Sequence, residues 1–534
     1  QYCGYDINTN YYEYTPKTCR TVEYTFTITN TTVAPDGVPR IGLLVNGQMP
    51  GPVIEANWGD TVKVTVINQL QDNGTTIHFH GIRQHDTNQY DGVPSITQCP
   101  IAPGDQMTYT WRAETYGTSW YHSHFSVQAW DGVFGPIKIN GPTSATYDVD
   151  AGHIMLQDWS HQTITSQYGL AEDASTGQGG GARVMDNGLI NGLNTWGVDG
   201  QSNQTGERFK MDVDPGKSYL LRIVNIGIQS TYKFYIDGHR MTVIAEDFTP
   251  IVPYDTNILN INIGQRYDVI VKTDQAPSSY WMRSDNQNAC AGTVQALDIR
   301  GIVHYTNAPT TLTPTSTGYN YTSECVDENP ALHTPIMSLT AGPTDLTLNG
   351  QVTIAPENNL YRWYLTGYTF VSQWGDPTLL GIVEDGVAPP YSGNLLINAP
   401  TADEWIYVIV QSTIGLPHPI HLHGHDFFVL AQGSGAYVDG AVTLKLDNPS
   451  RRDTVLMPGA GFVVVAWKAD NPGSWLMHCH VGWHVSMGFA IQIVEQIDNI
   501  NGTLDDCGAG LRDTCSNWNT WANARGVTTF DSGV

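Results

Sequence analysis

One unit of sequence occurs three times along the chain, and each copy begins with a strand in which apolar and polar residues alternate. The first strands of the three units read GDTVKVTVINQL (59–70), KSYLLRIVNIG (217–227) and EWIYVIVQST (404–413). A second such strand follows a glycine turn in each unit: PGDQMTYTWRA (103–113), GQRYDVIVKTD (264–274) and PGAGFVVVAWKAD (458–470). Alternation with period 2 buries one face of a strand, so the repeat predicts three related β-domains.

The expected fold class is all-β, with each of the three consecutive domains a Greek-key β-barrel or sandwich, because regular turns between period-2 strands are typical of these architectures. The chain has 534 residues, which is too long for one hydrophobic core. We place the domains at 1–150, 151–335 and 336–534. Charged residues are only 14% of the chain, and this composition favours a loop-rich β protein over a helical one.

Two short clusters accompany the strands of each unit, and their histidine content differs between units. The first cluster reads HFHG (78–81), YIDG (235–238) and HLHG (421–424), and the second reads SWYHSH (119–124), SYWMRS (279–284) and SWLMHCH (474–480). In the middle unit the corresponding positions hold Tyr235, Asp237, Met282 and Arg283. Histidines required for folding would be present in all three units. They therefore indicate a site shared by the first and third domains, with the middle domain as a spacer or substrate wall.

Ten histidines and one cysteine form four compact motifs. These are His78 and His80; His122 and His124; His418, His421 and His423; and His478, Cys479, His480 and His484. In an H-x-H on a β-strand both imidazoles point to the same face. Cys479 lies between two such histidines, so its thiol points to the opposite face. The strand thus separates a thiolate site from an imidazole-rich site, and the covalent path between them is one residue long.

The ligand types indicate copper. One cysteine and two histidines with a weak or absent axial partner form a blue-copper electron-transfer site, and His418 and His484 are the histidines expected to join Cys479. The eight other histidines suit a cluster of several copper ions with open positions. Zinc is the alternative for a site made of histidine alone, but structural zinc rarely takes eight imidazoles, and zinc carries no electrons.

Four motifs carry a resemblance to a known family. HFHG, WYHSH, HPIHLHGH and HCHVGWHVSMGF resemble the four copper motifs of multicopper oxidases, along nearly the whole chain. VNGQMPGP (45–52) and the terminal DSGV resemble ascomycete fungal laccases. The resemblance implies three cupredoxin-like domains, four copper ions, and oxidation of phenol-like donors by single electrons coupled to reduction of O2 to water. In the resembling laccases the terminal tail plugs the solvent route to the copper cluster; a disordered tail is the alternative.

The same resemblance implies a role for each ligand. The type 1 copper takes His418, Cys479 and His484, and the type 2 copper takes His78 and His421. The two type 3 copper ions take His80, His122, His124, His423, His478 and His480. Cys479 is then the electron path, with His478 and His480 at its ends, and the ring edge of His484 faces the substrate pocket.

Phe489 stands ten residues after Cys479, where many relatives carry an axial Met, Leu or Phe. A phenyl ring cannot bind copper, so the cupric state loses a donor and the potential is expected to rise. Met487 is the alternative ligand, although we interpret it as a packed apolar side chain.

Two further residues are assigned by the resemblance. Asp91 occupies the place of an acid near the copper cluster, where we expect a proton relay; a turn residue before Gly92 is the alternative. Gln229 falls where laccases keep an acid that receives the phenolic proton. This difference predicts a donor preference shifted towards aminophenols or aromatic amines. His425 is interpreted as a structural or supporting group.

The charge and the start of the chain indicate a secreted, soluble protein. With 25 Lys+Arg against 51 Asp+Glu the formal charge is −26, which argues against nucleic acid or an anionic membrane as partner. We interpret Gln1 as the first residue after a removed signal peptide and expect a monomer. Sequons for N-glycosylation start at Asn30, Asn73, Asn203, Asn320 and Asn501.

Cysteine usage fits the same compartment. If Cys479 serves the metal site, seven of the eight cysteines remain, which allows three disulfides and one unpaired residue. The short-range candidates are Cys3 with Cys19 and Cys290 with Cys325. Cys99 is expected to join the C-terminal tail, with Cys515 as the predicted partner and Cys507 as the alternative.

Two other functions are alternatives to the laccase-type interpretation. An oxidase of Fe(II) would need carboxylates around His484, and no acidic motif is evident there. A cupredoxin array that binds copper without turnover would need neither the His–Cys–His path nor eight further histidines. Oxygen uptake with a phenolic donor distinguishes between these functions.

Overall fold

The computed structural model of the chain describes residues 4–176, 181, 183–310, 313–389 and 394–527. Strands dominate it, and they form three successive units of two main sheets each. The all-β prediction is confirmed.

The first unit has two four-stranded sheets and one short helix. Its strands are β1 (Thr21–Val33), β2 (Arg40–Val45), β3 (Ile54–Asn57), β4 (Thr61–Asn68), β5 (His78–Phe79), β6 (Gln106–Arg112), β7 (Gly117–His122) and β8 (Phe134–Asn140), and its helix is α1 (Gln128–Asp131). The strand orders are β2-β1-β4-β6 and β3-β8-β7-β5.

The middle unit has a six-stranded sheet, a five-stranded sheet and a small two-stranded one. Its elements are β9 (Val149–Trp159), α2 (Ile164–Glu172), β10 (Asn187–Ile190), β11 (Thr195–Trp196), β12 (Thr205–Gly206), β13 (Lys210–Val213), β14 (Ser218–Asn225), β15 (Tyr232–Ile236), β16 (Met241–Glu246), β17 (Thr249–Thr256), β18 (Leu259–Ile261), β19 (Arg266–Lys272), β20 (Ser279–Asn286) and β21 (Arg300–Tyr305). The orders are β10-β9-β14-β19-β16-β17 and β13-β21-β20-β15-β18, with β11 paired to β12.

The third unit repeats the six-plus-five arrangement and adds helices. Its elements are β22 (Leu346–Glu357), β23 (Leu360–Leu365), α3 (Thr378–Asp385), β24 (Leu396–Ala399), β25 (Trp405–Ser412), β26 (His418–Leu422), β27 (Phe427–Ser434), β28 (Arg451–Arg452), β29 (Thr454–Met457), β30 (Gly461–Lys468), β31 (Gly473–Cys479), α4 (Gly482–Ser486), β32 (Ala490–Glu495), α5 (Ile497–Ile500) and α6 (Ala509–Arg525). The orders are β23-β22-β25-β30-β27-β28 and β24-β32-β31-β26-β29. Short 3-10 turns lie at Asn88–Tyr90, Ala174–Thr176, Pro330–Leu332 and Asp505–Gly508.

The two alternating strands of each sequence repeat are neighbours in equivalent sheets. They form the antiparallel pairs β4–β6, β14–β19 and β25–β30. In each unit the first strand of the pair also has a parallel neighbour on its other side, which is β1, β9 or β22. The repeat is therefore one topology used three times, and each copy has a buried core of its own.

The second sheet of each unit carries the two short clusters on adjacent strands, and its register corrects one sequence-based alignment. His78 pairs with His122, and His421 pairs with His478. The equivalent pair in the middle unit is Tyr235 with Arg283. Met282 was expected at a ligand position, but it pairs with Ile236 and lies in the middle core. The alternation of a strand puts Asp285, two residues after Arg283, at that face instead.

Covalent links hold the C-terminal helix and one middle-unit loop. Disulfides join Cys99 to Cys515, in α6, and Cys290 to Cys325, as expected. The predicted Cys3–Cys19 bond involves Cys3, which lies outside the described residues, as does the terminal DSGV. Cys507 is exposed and takes part in neither of the two bonds. None of the described helices is long and apolar enough to cross a membrane.

We expect the double variant Cys99→Ser/Cys515→Ser to unfold at a lower temperature than the native chain. The bond spans 416 residues, and a cross-link of this kind contributes about 2–5 kcal/mol by restricting the unfolded chain. Scanning calorimetry measures the midpoint, and trypsin reports release of α6 through faster cleavage at Arg512 and Arg525. Cys507→Ser is the matched control and should leave both unchanged. An unaltered midpoint in the double variant would contradict the expectation.

Candidate metal centre

Eight histidines of the first and third domains meet at the interface of these domains. They lie on β5, β7, β26 and β31 or directly after these strands, where alternation turns both members of each H-x-H to one face. None of these eight side chains is more than 4% exposed. We call them the histidine cluster: His78, His80, His122, His124, His421, His423, His478 and His480.

The cluster histidines form three groups, two of which share His80. Within each group the ligand atoms all lie within 4.8 Å of one another. The groups are His78, His80 and His421; His80, His122 and His480; and His124, His423 and His478. Every group combines residues of the first and the third domain. Within the described residues, none of these three histidine groups forms in one domain alone, so the site exists only while the two domains are docked.

Backbone carbonyls set the tautomer of four cluster histidines. A carbonyl oxygen only accepts, so an Nδ1 atom beside one carries the ring proton and leaves the Nε2 lone pair free. The contacts run from His78 to Asp91 O at 2.7 Å, from His122 to Ser123 O at 3.0 Å, from His421 to Asp453 O at 2.8 Å and from His478 to Cys479 O at 2.9 Å. The Nε2 atoms of His78, His122 and His421 are buried and have no hydrogen-bond partner in the described part of the chain.

Six of the cluster histidines are held in the neutral form. Burial, and then repulsion between neighbouring imidazoles, lowers the pKa of six of them well below its usual value: His80, His122, His124, His423, His478 and His480. Ring nitrogens also approach each other, with His423 Nε2 3.3 Å from His478 Nε2. Buried, neutral imidazoles with free lone pairs are the ligands that copper binds, so the residues fit copper ions at this interface.

Asp91 lies beside the histidine cluster. Its carboxylate is fully buried, 2.9 Å from His423 Nδ1 and 3.2 Å from His78 Nδ1. A carboxylate that accepts from the outer nitrogen of a ligand histidine orients the ring and raises its basicity. Asp91 is thus positioned between residues of the first and third domains.

The middle domain reaches the cluster through a buried ion pair that sequence reasoning missed. Arg266 donates to both carboxylate oxygens of Asp453 at 2.5 Å. Asp453 in turn lies 3.0 Å from His80 Nε2 and 3.5 Å from His421 Nδ1. Burial raises the pKa of Asp453, but Arg266, His80 and His421 hold it well below its usual value. The ion pair therefore holds His80 and His421 in place from the side of the middle domain.

Two glycines allow this close approach. At Gly264 a Cβ atom would lie 3.1 Å from His480 Cδ2 and 3.2 Å from His80 Cε1, and φ is +82°. At Gly81, with φ +73°, a Cβ atom would overlap the carboxylate of Asp453. The glycine that ends HFHG is therefore required by the Arg266–Asp453 pair. The middle domain supplies no histidine, yet it closes one side of the cluster.

A second site lies on the other face of β31. Cys479 Sγ is 3.6 Å from both His418 Nδ1 and His484 Nδ1, and the two nitrogens are 3.2 Å apart. We call these three residues the thiolate site. Burial raises the pKa of the Cys479 thiol and lowers that of His418 to about 3. A buried set of one sulfur and two neutral imidazoles matches the donors of a trigonal copper site.

Aromatic residues surround the thiolate site. The Phe489 ring centroid lies 5.1 Å from that of His418, and Trp363 lies 4.3 Å from His484. Met487 is fully buried in the core of the third domain, together with Phe489. These side chains exclude water from the site.

A cavity of about 40 Å³ is lined by His484 and Gln229, among other residues. The side-chain oxygen Oε1 of Gln229 accepts hydrogen bonds from Trp483 Nε1 at 2.7 Å and from the backbone N–H of Arg183 at 3.1 Å. Its amide also donates to the Arg183 carbonyl oxygen. The Gln229 side chain is thus engaged in positioning the cavity wall.

The remaining histidines lie outside both sites. His425 is near Glu495, at 2.9 Å, and joins no ligand group in the described residues. The others with no place in either site are His85, His153, His161, His239, His304 and His333. For Asp453 a signal did exist, because the charged run RRD (451–453) directly precedes the apolar strand TVLM (454–457).

The chain matches known proteins over almost its full length. Family models described as multicopper oxidase match residues 27–144, 150–308 and 372–499. Laccase-2 of Botryotinia fuckeliana is 42% identical over 540 residues, covering 99% of this chain and 91% of the relative. Dihydrogeodin oxidase of Aspergillus terreus is 36% identical, covering 98% and 91%. The crystal structure of the laccase from Botrytis aclada superposes with a TM-score of 0.93 at 40% identity, covering 99% and 97%.

We expect Arg266→Met to reduce the copper content of the purified chain. The substitution leaves the Asp453 carboxylate buried without its cation, which costs about 3–5 kcal/mol and frees His80 and His421 to shift. Elemental analysis and the electron paramagnetic resonance signal of the copper bound by the cluster provide the readouts.

The matched control is Arg222→Met, which breaks another buried arginine–aspartate contact of the middle domain, with Asp268 at 3.2 Å. It should lower the unfolding midpoint to a similar extent and retain the copper. Equal copper loss in both variants would show that Arg266→Met loses copper only because the folded protein is less stable.

Proposed function

The chain belongs to the multicopper oxidase family, and on this premise we propose how its residues perform laccase-type oxidation with four copper ions. The donors are phenols, aminophenols or aromatic amines, each oxidised by one electron, and O2 is reduced to water. One observation carries the proposal: a buried histidine cluster shared by two domains lies one residue away from a Cys–His–His site.

Each copper ion takes its ligands from one group of residues. Type 1 copper takes His418, Cys479 and His484; type 2 takes His78 and His421; and the type 3 pair takes His80, His122, His124, His423, His478 and His480. The grouping of the ligand atoms supports this division, since one close set contains both type 2 residues and two other sets contain the six type 3 residues.

Copper, when bound, supplies the one-electron redox chemistry that the reduction of O2 requires. The protein supplies the layout around it. His484 lines the small cavity where a donor ring makes contact, and Cys479 connects this side to His478 and His480 by adjacent peptide units. Asp91, beside His423, is the proton relay for water formation. Burial of both sites keeps bulk water away from the reacting groups.

The donor preference follows from Gln229. An amide cannot take the proton that a phenol loses on oxidation, and this amide is already bonded to Arg183 and Trp483. Donors that do not depend on a protein base, such as aminophenols and aromatic amines, are therefore favoured. No carboxylate lines this cavity among the described residues, which disfavours Fe(II) as the donor.

Further properties of the chain complete the proposal. It acts as a secreted, extracellular monomer with cupredoxin-like domains at 1–150, 151–335 and 336–534. All five sequon asparagines, at positions 30, 73, 203, 320 and 501, are exposed, which supports their use as glycan sites.

We expect the copper-loaded protein to show an intense absorption band near ~600 nm and to consume O2 with 2,6-dimethoxyphenol without releasing peroxide. Cys479→Ser should abolish both, because the band and the connection between the sites depend on the sulfur. Cys507→Ser is the matched control and should retain both. A colourless copper protein would contradict the thiolate site. A blue protein that oxidises Fe(II) but no phenol or amine would favour the alternative donor.

We expect Gln229→Glu to raise kcat/KM for 2,6-dimethoxyphenol by about tenfold, because a carboxylate can accept the phenolic proton. Oxidation of ABTS, a donor that loses no proton, should change less than about twofold and serves as the internal control. Parallel increases for both donors would instead point to a wider cavity. No change for the phenol would remove Gln229 from the account of donor preference.

A further inference from the structure

The short helix α4, which carries one residue of the thiolate site, begins against a loop of the middle domain. The backbone N–H of Gly482 donates to the carbonyl oxygen of Ile228 at 2.9 Å, and Trp483 Nε1 donates to Gln229 Oε1 at 2.7 Å. At Gly482 a Cβ atom would lie 2.7 Å from Ile228 Cγ1, so the helix and the loop are in close contact. The first turn of α4 therefore depends on this loop, residues 226–231, which we call the helix-contact loop.

One buried carboxylate holds the helix-contact loop from the side of β9. Asp158, the residue before the end of β9, is 5% exposed. Its Oδ1 atom accepts from the backbone N–H of Ile228 at 2.8 Å, and its Oδ2 atom accepts from the backbone N–H groups of Gln229 and Ser230 at 3.1 Å each. Hydrogen bonds to a carboxylate are strong, and its loss would leave three buried N–H groups unpaired.

A second side chain holds the loop by other groups. Asn225 Oδ1 accepts from the backbone N–H of Gly227, and Asn225 Nδ2 donates to the carbonyl oxygen of Ser230, at 2.9 Å each. Among the side chains of the described residues, Asp158 alone binds the N–H groups of the two loop residues that reach α4. The loss of Asp158 would therefore loosen the part of the loop that contacts the helix, while Asn225 retains the rest.

The far end of α4 is held independently of the helix-contact loop. Tyr168, in α2, donates its hydroxyl to the carbonyl oxygen of Ser486 at 2.7 Å. His484 lies between the two ends of the helix, with its Nδ1 atom 3.6 Å from Cys479 Sγ. A shift of the first turn alone would therefore reorient His484 while the helix stays in place.

We propose that Asp158 is a positioning residue of the donor site, which acts through the helix-contact loop on the orientation of His484. In the described residues, its carboxylate belongs to no ligand group and is absent from the lining of the cavity beside His484. Its effect on the reaction is thus indirect, because it holds the loop and the loop holds the start of α4. The inference rests on the proposed laccase-type function, in which the donor makes contact at His484.

Hydrogen exchange of backbone amides, followed by mass spectrometry on the full chain, tests the positioning without requiring turnover. Asp158→Ala removes the acceptor, and Asp158→Asn keeps one of its two oxygens. We expect the amides of Ile228, Gln229 and Gly482 to exchange at least about tenfold faster in Asp158→Ala than in the native protein, with an intermediate rate in Asp158→Asn. The matched control is Asp285→Asn, a buried aspartate of the same domain that accepts from two tyrosine hydroxyls, and it should leave these rates unchanged.

The copper-loaded protein supplies two readouts that a loss of stability alone would not change. We expect Asp158→Asn to shift the absorption band near ~600 nm, because this band depends on the geometry of Cys479 and His484. We also expect the KM for ABTS to rise at least about threefold while kcat changes less than about twofold, since donor contact is lost and the electron path is retained. Asp285→Asn should leave the band and the KM unchanged.

Trp483→Phe tests the same link from the side of the helix. It removes the indole N–H that bonds to Gln229 and leaves the bonds of Asp158 intact. We expect it to shift the band in the same direction as Asp158→Asn, and this variant provides the measurement if neither Asp158 variant folds.

The proposal is overturned if exchange becomes faster at Ile228 and Gln229 but not at Gly482, or if Asp158→Asn keeps both the native band and the native KM. A failure of the proposed function looks different. Native protein that oxidises no phenol or amine would contradict that function, whereas faster exchange at Gly482 together with a shifted band in Asp158→Asn would still support the positioning of His484.

Discussion

The buried pair of Arg266 and Asp453 joins all three domains at one point. Asp453 contacts His80 of the first domain and His421 of the third, and Arg266 comes from the middle domain. Each ligand group of the histidine cluster requires the first and third domains to be docked in one arrangement. A charged pair in a dry interface is costly unless its geometry is satisfied, so it disfavours other dockings. The geometry of the cluster thus depends on a domain that supplies none of its histidines.

The middle domain shows what the repeated unit becomes without metal ligands. The strand pairing is retained, with Tyr235 opposite Arg283 where the other units have histidines. The freed positions are filled by an arginine–aspartate pair and a tyrosine–aspartate contact, because buried polar groups need partners. The fold therefore tolerates the exchange of imidazoles for an ionic network. This agrees with the inference that the histidines serve a site and not the folding of the unit.

Local patterns were sufficient to predict much of the fold and of the site. Alternation of period 2 identified the strand pairs β4–β6, β14–β19 and β25–β30, since it depends on neighbouring residues only. The H-x-H motifs fixed which imidazoles share a face. Family resemblance supplied the division of the ligands, which local patterns do not contain.

Features that depend on distant contacts were not predicted. Arg266 and Asp453 are 187 residues apart, and nothing near either residue marks the other as its partner. The choice between Met282 and Asp285 required the register of β15 against β20, and a shift of one residue exchanges the two faces of a strand. The bonds of Gln229 to Arg183 and Trp483 likewise follow from tertiary packing.

The same sensitivity to register explains how one short strand serves two chemically different sites. On β31, His478 faces the histidine cluster while Cys479 faces the core of the third domain. Pairing on both sides fixes this arrangement: Cys479 lies opposite Ile420 of β26, and His478 lies opposite Ala490 of β32. A slip of one residue would put the thiol among the imidazoles and the imidazoles in an apolar core. Because β31 is held between two neighbours, the thiolate site and the histidine cluster keep their separation while remaining joined by adjacent peptide units.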